Sequence, residues 1–123
     1  MSAGRYALTV EQGATFELSI TYKDSTGTPI NLTNYGARMQ FRSSVDSSVL
    51  IASLTSTLDS DGSGITITAA SGALYIRMSA ASSSALNFSQ AVYDLEVYSG
   101  SGNTEYVQRI LEGRVKLNKN VTR

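Results

Sequence analysis

Apolar and polar residues alternate along most of this chain. Tyr6, Leu8 and Val10 share one face of a short segment, with Ala7 and Thr9 opposite. Phe16, Leu18, Ile20 and Tyr22 repeat the pattern against Glu17, Ser19 and Thr21. Tyr35, Ala37, Met39 and Phe41 do so against Arg38, Gln40 and Arg42. Further alternating runs cover Ile65 to Thr68, Leu74 to Met78, and Ala91 to Val97 with Asp94 and Glu96 outward. A period of two over such lengths predicts strands that bury one face.

Turn chemistry separates the runs. Gly13 marks a turn or bulge, and Asp24 to Pro29 carries Asp, Gly and Pro at hairpin spacing. The segments 59–64 and 99–103 are rich in Gly, Ser, Asp and Asn. Val49 to Leu54 reads as an edge or returning strand, and Tyr106 to Leu117 as the last strand. Only Ser79 to Leu86 lacks the alternation, and its alanines predict one helical turn crossing between sheets. The result is an all-β chain of about seven to eight antiparallel strands, either a sandwich or a barrel. Uneven strand lengths and connections that are not all tight hairpins favour an immunoglobulin-like β-sandwich. With 123 residues and no internal linker, residues 1–123 form a single domain, with terminal arms at 1–5 and 118–123.

Composition narrows the chemistry. Ten basic and ten acidic residues cancel, which argues against a nucleic-acid binder. Charged residues make up only 16% of the chain, a sparse supply for a free monomer and a tolerable one inside an assembly. Cysteine and histidine are both absent, which removes thiol nucleophiles, thiolate metal sites, disulfides and the commonest general base. The start of the chain lacks the basic and apolar segments of a signal peptide, so synthesis and retention in a cytoplasm are expected.

Several residue groups offer weaker signals. Asp94 and Glu96 lie two apart on one strand face, but an exposed pair lacks the burial that raises one carboxyl for acid catalysis. Asp59 and Asp61 open a segment with the oxygens and glycine of a calcium loop. Its twelfth position is Ala70 rather than glutamate. Tyr98 and Tyr106 flank one loop as the expected exposed aromatic pair, while the remaining aromatics mostly occupy inward positions. Arg114, Lys116, Lys119 and Arg123 form the densest basic group, and Arg114, Lys116 and Arg123 join the two tyrosines as expected contact residues. No catalytic residue and no cofactor are expected.

The segments Pro29-Ile30-Asn31-Leu32-Thr33-Asn34-Tyr35, Ala37 to Arg42, Val92-Tyr93-Asp94-Leu95-Glu96, Arg109 to Val115 and Val121-Thr122-Arg123 occur in an order with a wider resonance. Together they resemble small immunoglobulin-like virion proteins of tailed bacteriophages and are similar to the N-terminal domain of the upper baseplate protein family. The resemblance implies a non-catalytic structural protein of the virion, made in the host cytoplasm. It would be an adaptor docking onto tail, baseplate or neck proteins, present in several copies or as a homo-oligomer, without cofactor, nucleic acid or membrane. In the baseplate family further domains follow the sandwich, whereas this sequence stops at Arg123. A capsid decoration protein and a carbohydrate-binding adhesion module are the alternatives.

Overall fold

The computed structural model describes residues 4–100 and 105–119. Strand takes up 54% of it and helix 7%, so the molecule is all-β. In chain order the elements are β1 (Gly4–Arg5), β2 (Leu8–Glu11), β3 (Phe16–Thr21), β4 (Gly36–Arg42), β5 (Leu50–Thr55) and β6 (Gly64–Thr68). A 3₁₀ turn (Ala69–Ser71), β7 (Ala73–Met78), α1 (Ala80–Ser84), β8 (Gln90–Ser99) and β9 (Tyr106–Asn118) complete it.

The strands form two sheets. The larger runs β1-β9-β8-β4-β5, with β2 also on β9, and the smaller runs β3-β7-β6. Their facing sides meet in one core. Met39, Phe41, Tyr93, Leu95, Val97 and Val115 come from the larger sheet, and Ile65, Leu74, Ile76 and Met78 from the smaller. Alternation explains this directly. In β4 and β8 every second side chain is buried, and the intervening positions are half-exposed. The short α1 carries the chain from β7 in one sheet to β8 in the other, as the break in alternation predicts. Its N-cap Ser79 accepts a hydrogen bond from the Ser82 amide.

Three expectations are corrected. The strands are not all antiparallel: β1 and β2 run parallel to β9, with Gly4 opposite Leu111 and Leu8 opposite Val115. Alternation within a strand says which face is buried and nothing about the direction of its neighbour. The arms are also shorter than expected. Gly4 and Arg5 form β1, and Asn118 ends β9 opposite Glu11, because the N-terminal segment satisfies the backbone of β9 on its outer side. Residues 1–3 and 120–123 of those arms lie outside the described residues. Tyr6 does not share the burial of Leu8 and Val10 and is 51% exposed, since the chain bends between β1 and β2.

That bend has a specific anchor. The Tyr6 amide donates to the Glu112 carbonyl at 3.0 Å. The Tyr93 hydroxyl donates to the Tyr6 carbonyl at 2.6 Å. Between them lies Gly113, the register partner of Tyr93. A β-carbon there would sit 2.4 Å from the Tyr6 carbonyl oxygen. The missing side chain lets one backbone descend onto another, which is the usual reason for glycine inside a strand. Burial pushes the Tyr93 phenol up to about 12, with the neighbouring Tyr6 adding to the shift, so its hydroxyl keeps the proton it donates.

Candidate functional site

The outward face of the larger sheet gathers most of the charge in the described residues. The registers of β4, β8 and β9 place side chains in rows across the three strands. Arg38, Glu96 and Arg109 form one row. Gln40, Asp94 and Glu112 form the next, which Arg5 of β1 extends. Arg42, Val92 and Arg114 form a third, and Leu50 of β5 lies beside Arg42. A bulge between Leu95 and Glu96 shifts the register, so that Arg109 rather than Ile110 faces outward opposite Glu96.

Ion pairs run within the first row and between the first and the second. Arg38 Nε contacts Glu96 Oε1 at 2.9 Å, and its Nη2 lies 3.7 Å from Glu105 Oε1. Arg109 reaches Asp94 Oδ2 at 3.3 Å through Nε and Glu112 Oε1 at 3.5 Å through Nη1. Such half-exposed pairs contribute about 0–1 kcal/mol each and mainly fix side-chain positions. Burial raises the Asp94 carboxyl above the ordinary carboxylate range, and repulsion from Glu96 and Glu112 adds to it against the pull of Arg109 and Arg42. A raised acid is disfavoured in its charged form, so this group costs stability at neutral pH, and the cost is relieved as pH falls through its folded value. Asp94→Asn is therefore expected to melt no lower than the wild type at pH 7, with a change within about 1 kcal/mol in thermal unfolding.

The third row is different. Arg42 donates to the Ser47 carbonyl at 3.3 Å and to Gln40 Oε1 at 3.0 Å, both uncharged acceptors. Arg5 and Arg114 have no carboxylate within ion-pair distance among the described residues. An open cleft of about 450 Å³ lies over this part of the sheet, and four arginines (Arg5, Arg42, Arg109, Arg114) face two carboxylates (Asp94, Glu112) in its walls. One rim is apolar. Val45 is 84% exposed, Val49 67% and Leu50 44%, and they lead into β5, the free edge of the sheet.

The residues expected from sequence scatter over the molecule. Arg114 lines the cleft, and Lys116 lies one row further along the same face, opposite Gln90. Tyr98 shares that face at the other end. Its ring lies under the Arg38 guanidinium at 4.6 Å and covers Gly36, whose β-carbon would fall 2.6 Å from the ring. Tyr106 pairs with Ser99 and so points to the opposite face from Tyr98. It packs edge-on to Tyr35 with ring centroids 6.5 Å apart and stays 53% exposed. The two tyrosines thus do not form one platform. Arg123 lies outside the described residues. Arg5, Arg42 and Arg109 were missed, because only the strand registers bring them beside Arg114.

The segment of Asp59 and Asp61 is a tie between loop and helix. Asp61 Oδ2 accepts from Ser79 Oγ at 2.6 Å and from Ser82 Oγ at 2.7 Å, while Oδ1 accepts from the Ser63 amide at 3.0 Å. Asp59 closes the turn through its backbone, accepting from the Gly62 amide and donating to the Ser63 carbonyl. Among the described residues no group of three or more His, Cys, Asp or Glu side chains is placed to hold a metal. The hydrogen bonds from Ser79, the Ser63 amide and Ser82 hold the Asp61 carboxyl well below the ordinary carboxylate range. Its stabilising contribution is complete above the unfolded value near ~3.9 and is lost as pH falls through the lower folded value. Asp61→Ala is expected to melt lower than the wild type at pH 7. Acidification below about pH 4 should then lower its melting temperature less steeply than that of the wild type, as followed by circular dichroism.

Set against known protein families and curated proteins, the chain matches neither a family nor a protein.

Proposed function

We propose that this chain is a non-catalytic structural protein of a tailed-phage virion, an immunoglobulin-like sandwich that docks onto other virion proteins. The observation that carries the reading is the free β5 edge of the larger sheet with the exposed Val45, Val49 and Leu50 beside it. An unpaired edge offers backbone donors and acceptors to a neighbouring chain, and apolar residues at its entrance gain by being covered.

Two further features support it. The order β3-β7-β6 against β9-β8-β4-β5 follows the B-E-D and G-F-C-C′ arrangement of immunoglobulin-like sandwiches. The carboxylates Asp94 and Glu96, the pair best placed for acid–base work, are each engaged by an arginine. A carbohydrate-binding module draws less support, because Tyr98 is covered by Arg38 and the exposed rings of Tyr6 and Tyr106 lie apart, Tyr6 beside Glu112 and Tyr106 at the start of β9.

Mass spectrometry of purified particles from a phage encoding this sequence is expected to find the polypeptide, and gold-labelled antibody to mark the tail or neck. Absence from the particle would overturn the proposal. Label over the head would make the chain a decoration protein.

A further inference from the structure

We propose that the Arg42–Val92–Arg114 row receives an extended acidic segment of a protein partner, with carboxylates against the two arginines and apolar side chains on Val45 and Leu50. The inference rests on the adaptor reading and names the chemistry of the partner.

Charge is the first argument. Arg109 already has its counter-ions in Asp94 and Glu112. Among the described residues Arg5, Arg42 and Arg114 make no ion pair, and Arg42 acts on Asp94 only at longer range, so four arginines face two carboxylates in the cleft although the whole chain is neutral. Concave walls of low dielectric focus that field toward an anion. Adjacent strands are about 4.8 Å apart, so Arg42 and Arg114 rise roughly 10 Å from each other across Val92. Both guanidinium groups can therefore reach one ligand lying over the valine. A guanidinium suits a carboxylate because two parallel N–H groups match its two oxygens. Arg42 is also partly pre-oriented by Gln40 and the Ser47 carbonyl, neither of which neutralises it.

The surroundings favour a polypeptide over a small anion or a glycan. Leu50 stands next to Arg42 in the register, and the free edge of β5 begins there. A segment with acidic residues at alternate positions, followed by apolar residues at alternate positions, fits this surface, since alternate side chains of an extended chain share one face. A sugar would look for an open aromatic face. The aromatic ring in the cleft walls, Tyr93, is buried and has its hydroxyl committed to the Tyr6 carbonyl.

The test is fluorescence anisotropy of the whole chain with a labelled synthetic peptide in which glutamates at alternate positions are followed by valines at alternate positions, with threonine between. The same peptide with lysine for glutamate, inorganic phosphate and a chondroitin sulfate oligosaccharide complete the set. The acidic peptide is expected to bind at low salt and to weaken as salt rises. Arg114→Glu, an exposed position without a partner to lose, should weaken binding at least about tenfold with an unchanged circular dichroism spectrum. Thr66→Glu on the smaller sheet should leave binding as it was. No binding at about 1 mM protein, equal binding of the lysine peptide, or no effect of Arg114→Glu would overturn the proposal. Tighter binding of phosphate or the oligosaccharide than of the peptide would do the same. Each of these results is separable from the particle experiment, because a chain present in virions could dock through another surface.

Discussion

Gly113→Val is expected to destabilise the protein by about 3 kcal/mol or more, lowering its melting temperature by roughly 10 °C or more. The valine β-carbon would meet the Tyr6 carbonyl oxygen at 2.4 Å and its carbon at 3.0 Å, both backbone atoms that cannot rotate away. Relief requires the bend between β1 and β2 to lift off β9. That would separate the Tyr93 hydroxyl from its acceptor, a further cost for a buried phenol. Tyr93→Phe isolates this last component and should cost only about 1 kcal/mol. Differential scanning calorimetry of both variants decides the matter. If Gly113→Val melted within about 2 °C of the wild type, the close approach at this point would be wrong.

The second large effect belongs to Phe41→Ala, at about 3–5 kcal/mol in urea unfolding. Phe41 is 1% exposed at the centre of β4 and packs edge-on against Tyr93, with centroids 6.3 Å apart and planes at 66°. Its removal leaves a hole between two sheets whose strands hold their spacing by backbone pairing, so little collapse can fill it. Domains of this size are typically stable by only about 5–15 kcal/mol, so the loss approaches the threshold of folding at physiological temperature. The midpoint should shift with the slope unchanged, as for a pure stability effect. A double-mutant cycle with Tyr93→Leu should give a coupling of about 0.5–1.5 kcal/mol for the ring contact. A loss below about 1 kcal/mol for Phe41→Ala would mean that the two sheets do not close over this residue.

These two residues also mark how far the sequence could be read. Phe41 was legible: it falls on the apolar side of an alternating run, and that side became the core. The helical turn before β8 was legible for the opposite reason, since alternation stops there. Gly113 was not legible as a contact point. Its neighbour Tyr6 is remote in sequence, and nothing near either residue encodes the meeting. The turn at Asp24 formed as its residues suggest, with Lys23 bridged to Pro29. The strands on either side of it nonetheless belong to different sheets, because local turn chemistry does not specify the larger pairing. Val49 and Leu50 read as part of an apolar strand, yet they are exposed, since the edge strand buries its apolar residues only from Ile51 onward. The candidate site shows the same limit. Arg38, Gln40 and Arg42 were placed on an outward face and Arg114 among contact residues, but only the registers through β8 put Arg42 and Arg114 on one row.

The parallel seam between β2 and β9 also sets an order of events during synthesis. Glu11 and Asn118, joined by a side-chain hydrogen bond, are 107 positions apart. At about 5–20 residues per second, a ribosome takes roughly 5–20 s to deliver the second after the first. Through that interval Leu8 and Val10 have no β9 to lie against, and β8, once made, still lacks its neighbour on one side. Until β9 is made, the larger sheet stays unclosed with an apolar margin. Its closure is governed by the slow search for a partner distant in sequence rather than by local structure.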